Sequence, residues 1–199
     1  MSLPHAILGF LQYGPMTGYD LKTEAFDRTV AHFWPAVQQQ IYRELEKMEA
    51  TGWVASSVEV QTSKPNRRVY AISAAGRSEF ARWLNVQQPP PPHREAFLIQ
   101  LFFASQLSND EIVALLEGQR AAHRERLAEL EEVERGFRAT PSPPRAHACM
   151  GFTLDFGLRL ERLYIDWLGD CIRATQALRA PKRARSRPKQ MRTASACSP

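Results

Sequence analysis

The sequence predicts a mainly α-helical chain in two parts: three helices with a two-stranded hairpin, then a wholly helical region. Three observations carry this. "WVASSVEVQ" and "RRVYAIS" alternate apolar and polar residues around the turn-forming "TSKPN". Helix-period segments occupy most of the remainder. Four consecutive prolines in "QQPPPPH", residues 87–93, favour an extended spacer between the two parts. At 199 residues and 44% hydrophobic content, the chain is long enough to bury a core in each.

The first part reads element by element. "LPHAILGFLQ" is a short apolar helix ended by "YGP". Thr17 then caps a second helix through the Thr17-x-x-Asp20 spacing, a carboxylate variant of the capping box. "HFW" precedes Pro35, expected as the first-turn proline of helix three, and Gly52 stops that helix. The hairpin follows, and Ser73 caps a fourth helix carrying Phe80, Trp83 and Leu84. Three helices followed by a hairpin is the order of a winged helix-turn-helix.

Helix three carries the first candidate site. At about 100° per residue, Val37, Ile41, Leu45 and Met48 converge on one face and form the expected buried stripe. Gln39, Arg43 and Glu46 point the opposite way, with Gln38 and Tyr42 on one shoulder. In a helix-turn-helix such a face enters the major groove, where glutamine bonds adenine edges, arginine bonds guanine and tyrosine reaches phosphate. On an isolated amphipathic helix the same face would be ordinary solvated surface; the ordered helix, turn and hairpin favour double-stranded DNA as partner. Lys64, Arg67 and Arg68 at the hairpin place three cations within five residues, suited to phosphate contact or the minor groove.

Bulk charge is a weaker guide. The net charge of +5 divides into +1 over residues 1–86, −3 over 87–178 and +7 over 179–199. The tail "RAPKRARSRPKQMRTASACSP" is expected to be disordered and to attract polyanions weakly and in a salt-sensitive way. Cys149, Cys171 and Cys197 show no C-x-x-C spacing, and the five histidines show no metal-ligand pattern. Neither a disulfide framework, a metal nor a cofactor is expected. No apolar run approaches the roughly 20 residues that span a bilayer, so a cytoplasmic location is expected.

The second part opens with "REAFLIQLFFASQL", a compact apolar helix. Ser108 with Glu111 forms a capping box for a helix of nearly thirty residues, roughly 45 Å long, expected to need another chain to cover it. Glu131 with Arg135 and Glu134 with Arg138 have the favourable i,i+4 orientation. After a break at "TPSPPRAH", residues 140–147, a last helix at about 149–178 carries two apolar stripes. One holds Phe152, Phe156, Leu160, Leu163, Trp167, Cys171, Ala174 and Leu178, the other Leu154, Leu158, Ile165, Leu168 and Ile172. Two apolar faces imply two packing partners, one of them the second subunit of a two-fold dimer. Glu161 interrupts the second stripe, and an interchain pair with an arginine is one reading of it.

"ILGFLQYGPMTGYDLK", "HFWPAVQQQIYRELEKMEATGWV" and "RRVYAISAAGRSEFARWL" together resemble the PadR family of bacterial transcriptional regulators. The family pattern runs from an "LGLL"-type helix through a "GPMSGYEL"-type turn, "HFW" and "IY" to a "VYxLTxxGR" wing exit. The likeness covers about residues 3–85; Ala75 departs from it, standing where an acidic residue is common. It implies that Tyr42 and its helix contact operator DNA and that the Lys64–Arg68 hairpin is the wing. The second half resembles, more loosely, the helical region of virulence-activator-like members, on "FFASQLS", the long charged helix and the texture of the last one.

The resemblance also implies an effector, since PadR-like repressors include some relieved by phenolic acids or flat hydrophobic drugs. Phe97, Phe102, Phe152, Phe156, Tyr164 and Trp167 are the candidate lining for a small aromatic ligand; aromatics at helical spacing also serve as core. The domains expected are a DNA-binding winged helix over 1–86, a linker at 87–93, a helical dimerisation and effector domain over 94–180, and the basic tail over 181–199. Two rival readings remain, an activator without ligand and a winged helix that docks on protein. An enzyme is not expected: G-x-S-x-G, G-x-x-x-x-G-K-[ST], H-E-x-x-H and G-x-G-x-x-G are all absent from the sequence.

Overall fold

The computed structural model describes residues 2–60, 66–139, 141 and 143–178 and divides the chain into two compact units, Met1–His93 and Arg94–Pro199. Lys64 of the hairpin and the basic segment from residue 179 lie outside the described residues. Among the described residues no helix is long and apolar enough to cross a membrane.

The first unit runs α1 (Leu3–Leu11), β1 (Met16–Thr17), α2 (Gly18–Asp20), α3 (Gln38–Ala50), β2 (Val54–Glu59), β3 (Arg67–Ile72) and α4 (Ala74–Leu84). From α2 the chain continues as a π-helical stretch over Leu21–Val30. Thr17 makes the predicted cap: its Oγ1 accepts from the Asp20 N–H at 3.0 Å, and its own N–H donates to Asp20 Oδ2 at 3.2 Å. Among the described residues the sheet has three strands, not two, in the order β1-β3-β2 and antiparallel throughout. The added strand pairs Met16 with Tyr70 and Thr17 with Val69, and two residues are too few to show alternation in sequence.

The core of this unit is formed by Ile7, Leu8 and Leu11 of α1, Leu21 and Phe26, Ile41, Leu45 and Met48 of α3, and Val54, Tyr70 and Ile72 of the sheet. Burying a side chain of this size contributes about 1.5–3 kcal/mol. Two expectations for helix three are corrected. Val37 is extended (φ −91°, ψ 150°) as the residue before the helix, so it leaves the helical lattice and is 57% exposed. Because α3 starts at Gln38, Pro35 lies ahead of the first turn.

In the second unit, α5 (Ala96–Phe102) and a short 3₁₀ turn (Ala104–Gln106) precede α6 (Asn109–Ala139) and α7 (Pro144–Ala177). Ser108 and Glu111 cap α6 reciprocally: the Ser108 N–H donates to Glu111 Oε2 at 2.7 Å and the Glu111 N–H to Ser108 Oγ at 3.3 Å. The last helix begins earlier than expected, at Pro144, because a proline at the first helical position forfeits no hydrogen bond. Ile112 and Leu116 of α6 meet Leu168 and Ile172 of α7, while Leu130 meets Leu154 and Leu158, so the two helices run antiparallel along their length. The long α6 is thus covered by α7 of the same chain. Asn109 Nδ2 closes the end of α7 by donating to the carbonyls of Thr175 and Leu178 at 3.2 and 2.9 Å.

Three polar expectations in this unit resolve differently. Glu134 pairs with Arg138 at 2.6 Å as predicted. Arg135 pairs instead with Glu132, and Glu131 reaches across to Arg162 of α7 at 3.1 Å, a partner created by the helix pairing. Glu161 takes a partner within the chain: its Oε2 lies 2.5 Å from Nδ1 of the buried His123. Of the two apolar stripes on α7, Leu154, Leu158, Leu168 and Ile172 are buried. On the other stripe Trp167 and Cys171 pack against the core, whereas Phe152, Phe156 and Leu163 are 71%, 62% and 64% exposed.

Candidate nucleic-acid interface

Burying Ile41, Leu45 and Met48 turns the opposite face of α3 outward, and Gln38, Gln39, Tyr42, Arg43 and Glu46 are all exposed there. The three glutamines separate in role. Gln40 folds back so that its Oε1 accepts from the Val37 N–H at 3.4 Å, satisfying a donor at the helix start, while Gln38 and Gln39 point into solvent. Tyr42 leans across the start of α2, where a Cβ on Gly18 would lie 2.4 Å from its Cε1. Arg43 stands at the rim of a cleft of about 470 Å³, beside Leu3, Pro4, Trp34 and Pro35.

The far end of α3 is fastened to the wing. Gly52 at φ 74° allows a two-bond close: the Gly52 N–H donates to the Glu49 carbonyl at 2.9 Å and the Trp53 N–H to that of Met48 at 2.8 Å. Ser73, at the other foot of the hairpin, accepts from the Gly76 N–H and donates through its hydroxyl to the Gly52 carbonyl at 2.6 Å. The cap holds although Ala75 replaces the acidic residue of the family pattern. A Cβ on Gly76 would meet the Trp53 carbonyl oxygen at 2.1 Å, so the helix can approach the strand this closely only with glycine there.

Both described cations of the hairpin have partners. Arg67 lies 3.6 Å from Glu59 in a solvent-exposed pair. Arg68 Nη2 donates to Glu49 Oε2 at 2.5 Å and Nε to Ser56 Oγ at 2.9 Å, and the guanidinium sits 5.4 Å from the centre of the Tyr70 ring. The Ser56 hydroxyl donates to Glu49 Oε1 at 2.6 Å. This bond, with help from Arg68, holds the Glu49 carboxyl below the usual carboxylate range against an opposing effect of burial. Glu49 and Ser56 were not among the residues singled out from sequence. The signal for their partner was present, since strand alternation puts Arg68 on the same side of β3 as the buried Tyr70 and Ile72.

The six aromatic residues expected to line an effector site do not all come together. Phe97, Trp167 and Tyr164 pack edge to face in sequence, at 6.4 and 6.2 Å between ring centres, and Tyr164 stacks on His123 at 4.2 Å. The Tyr164 hydroxyl donates to Glu95 Oε2 at 2.5 Å; burial, then that carboxylate, push its pKa up to about 12. Phe102, at 80% exposure, Phe152 and Phe156 lie outside this cluster on open surface.

An outward polar face on the third helix, with a basic hairpin braced against its end, is the arrangement of a winged-helix DNA-binding protein. Residues 7–82 match the transcriptional regulator PadR-like family, and residues 93–176 match the family described as virulence activator alpha C-term. The probable transcriptional regulator Rv1176c of Mycobacterium tuberculosis is 36% identical over 90% of this chain and all of its own. The negative transcriptional regulator PadR of Bacillus subtilis is 31% identical over 83% of this chain and 93% of its own. The crystal structure of that PadR in complex with operator DNA superposes with a TM-score of 0.78 at 28% identity, over 88% of this chain and 99% of that one. The Vibrio cholerae virulence activator AphA gives 0.72 at 30% identity with the same coverage. The chain belongs to the PadR family: it is a DNA-binding transcriptional regulator and not an enzyme.

Proposed function

We propose that this regulator acts as a homodimeric repressor on a palindromic operator, with release by a small aromatic effector. The observation that carries the dimer is the uncovered apolar row Phe152, Phe156 and Leu163 on a helix whose opposite row is already buried against α6. A two-fold axis through such a row pairs two recognition helices, and a palindrome is the DNA with matching symmetry. In this reading Gln38, Gln39, Tyr42 and Arg43 read or position on the groove, and the wing with Lys64 and Arg67 follows the flanking backbone. Repression is supported by the Bacillus subtilis relative, a negative regulator, and the effector by its crystal structure with p-coumaric acid. The Vibrio cholerae relative, an activator, is the observation that favours the opposite sign.

The test is fluorescence anisotropy of the protein with DNA from upstream of its own coding sequence and with a scrambled duplex, at two salt concentrations. The reading expects a preference of about a hundredfold or more that survives the higher salt. Equal, salt-collapsing binding to both duplexes sinks operator recognition at that site. Adding p-coumaric acid as probe tests release, and unchanged operator affinity at saturating tryptophan-fluorescence response would remove the effector step.

A further inference from the structure

We infer that Glu49, Ser56 and Arg68 form a brace that sets the angle between the recognition helix and the wing. Arg68 then serves DNA binding as a positioning residue acting through Glu49, not as a contact to the nucleic acid. The inference rests on the DNA-binding reading and refines it, because Arg68 looks from sequence like one of three interchangeable hairpin cations.

The geometry separates it from its neighbour. Successive side chains on β3 alternate between faces, so Arg68 shares the core side with Tyr70 and Ile72, which are buried, while Arg67 is on the other side. On β2, Ser56 lies opposite Tyr70 and Val58 opposite Arg68 in the register, which brings the Ser56 hydroxyl diagonally under the guanidinium. The guanidinium therefore spans three elements at once: Glu49 in the last turn of α3, Ser56 on β2 and the Tyr70 ring on β3.

The hydrogen bonds close into a ring. Arg68 donates to both Glu49 and Ser56, Ser56 donates to the second oxygen of Glu49, and every one of these groups is satisfied by another member. A guanidinium committed in this way carries a compensated charge, and moving it to a phosphate would leave the Glu49 carboxylate and the Ser56 acceptor without their donor. Arg67 differs in its partner and not in its own exposure: its pair with Glu59 is longer, at 3.6 Å, and the Glu59 side chain is 54% exposed where that of Glu49 is 31%. The fold gains from the brace a side-chain link between helix and wing additional to the chain connection at Gly52. A groove-reading helix and a backbone-tracking wing must be held at one relative angle to engage a duplex together.

The two roles predict opposite outcomes for removal of the acid. The experiment takes full-length protein and a duplex selected from a random pool by the wild type, and measures dissociation constants across a salt series for R68A, R68K, E49A and the R68A/E49A pair. Under the brace, each single variant weakens binding about tenfold and the pair is no weaker than R68A alone, because all remove the same link. The slope of log affinity against log salt stays at its wild-type value.

A phosphate contact predicts instead that E49A tightens binding by unmasking the guanidinium, that R68K keeps most of the affinity, and that R68A lowers the salt slope by about 0.9. Any of those three results overturns the inference. If R68A does not fold, R68K and E49A still decide, since each leaves the strand pairing and the Tyr70 core intact. A wild type that selects no duplex over the pool average refutes the DNA-binding reading itself, a different result from any variant behaviour.

Discussion

Gly18 and Tyr42 are in mutual contact across the helix-turn-helix: the ring of Tyr42 occupies the space a side chain at position 18 would need, 2.4 Å from an ideal Cβ to Cε1 and 2.8 Å to Cζ. The absence of a side chain at the start of α2 thus fixes where the exposed tyrosine of α3 stands. Gly18→Ala should move the ring and spare the backbone, because the obstructing atoms are the far end of a rotatable side chain. Alanine is favoured over glycine by up to about 1 kcal/mol inside a helix and by less at this first position, a gain that opposes the local crowding, so the melting temperature should change little. Operator affinity should fall about threefold to tenfold, the worth of one hydrogen bond, and Tyr42→Phe added to Gly18→Ala should cost nothing further. Thermal melts and anisotropy on the same preparations check both halves; a large drop in melting temperature with intact affinity would show that the backbone yielded instead.

Arg43 stands on the outward face of α3, one position beyond Tyr42. If its guanidinium makes two hydrogen bonds to a guanine, Arg43→Ala costs about 1–3 kcal/mol and relaxes preference at that base pair alone. Measuring the variant against all four bases at each operator position distinguishes this from a backbone role. Equal loss on every sequence, with a shallower salt dependence, assigns Arg43 to phosphate.

Much of this fold was legible because its signals are local. The capping pairs Thr17 with Asp20 and Ser108 with Glu111, and the stop at Gly52, are read within four residues of the backbone groups they satisfy. The apolar spacing Ile41, Leu45 and Met48 likewise orients α3 without knowledge of what it packs on. Illegible were pairings set by tertiary proximity: Glu161 with His123, Glu131 with Arg162, and Met16–Thr17 with β3. Arg68 lies between these cases, since alternation placed it on the inner face of the strand while its partner, Glu49, is nineteen residues away. The outward polar face of α3 was legible as a candidate site, and the Glu49–Ser56–Arg68 ring behind it was not.

Glu79 makes the first unit acid-sensitive in a defined window. Its carboxylate accepts two hydrogen bonds from Arg82, at 2.8 and 2.7 Å, and lies 3.0 Å from Nε2 of His5, which in turn stacks on Trp83 at 4.7 Å. Arg82 first, then His5, hold its pKa at about 2 against an ordinary value of 4.5. A carboxylate depressed in the folded state contributes stability that is complete above the unfolded value and disappears as pH falls through the folded one. The melting temperatures of wild type and Glu79→Gln should therefore differ at pH 6 and converge as pH drops from about 4.5 toward 2. A gap that stays constant over that window would assign the difference to packing around Trp83 and not to the charge.

The apolar row on α7 makes a prediction about assembly that leaves the fold of each protomer alone. Phe156 is 62% exposed, and the faces of α7 that hold the chain together are those of Leu154, Leu158, Leu168 and Ile172. Phe156→Glu should consequently leave helix content and single-chain stability unchanged. If two copies meet through this row, each Phe156 loses about 1.5–3 kcal/mol of burial, the loss counts twice across a two-fold axis, and a carboxylate must also be desolvated. Sedimentation equilibrium should then show the variant as monomer at concentrations where the wild type is dimer, with operator affinity falling because the two recognition helices are no longer tied. A variant that remains dimeric would move the interface away from this row, and Phe102 and Phe103, the other strongly exposed aromatics of the second unit's described residues beside Phe152, would be the next positions to charge.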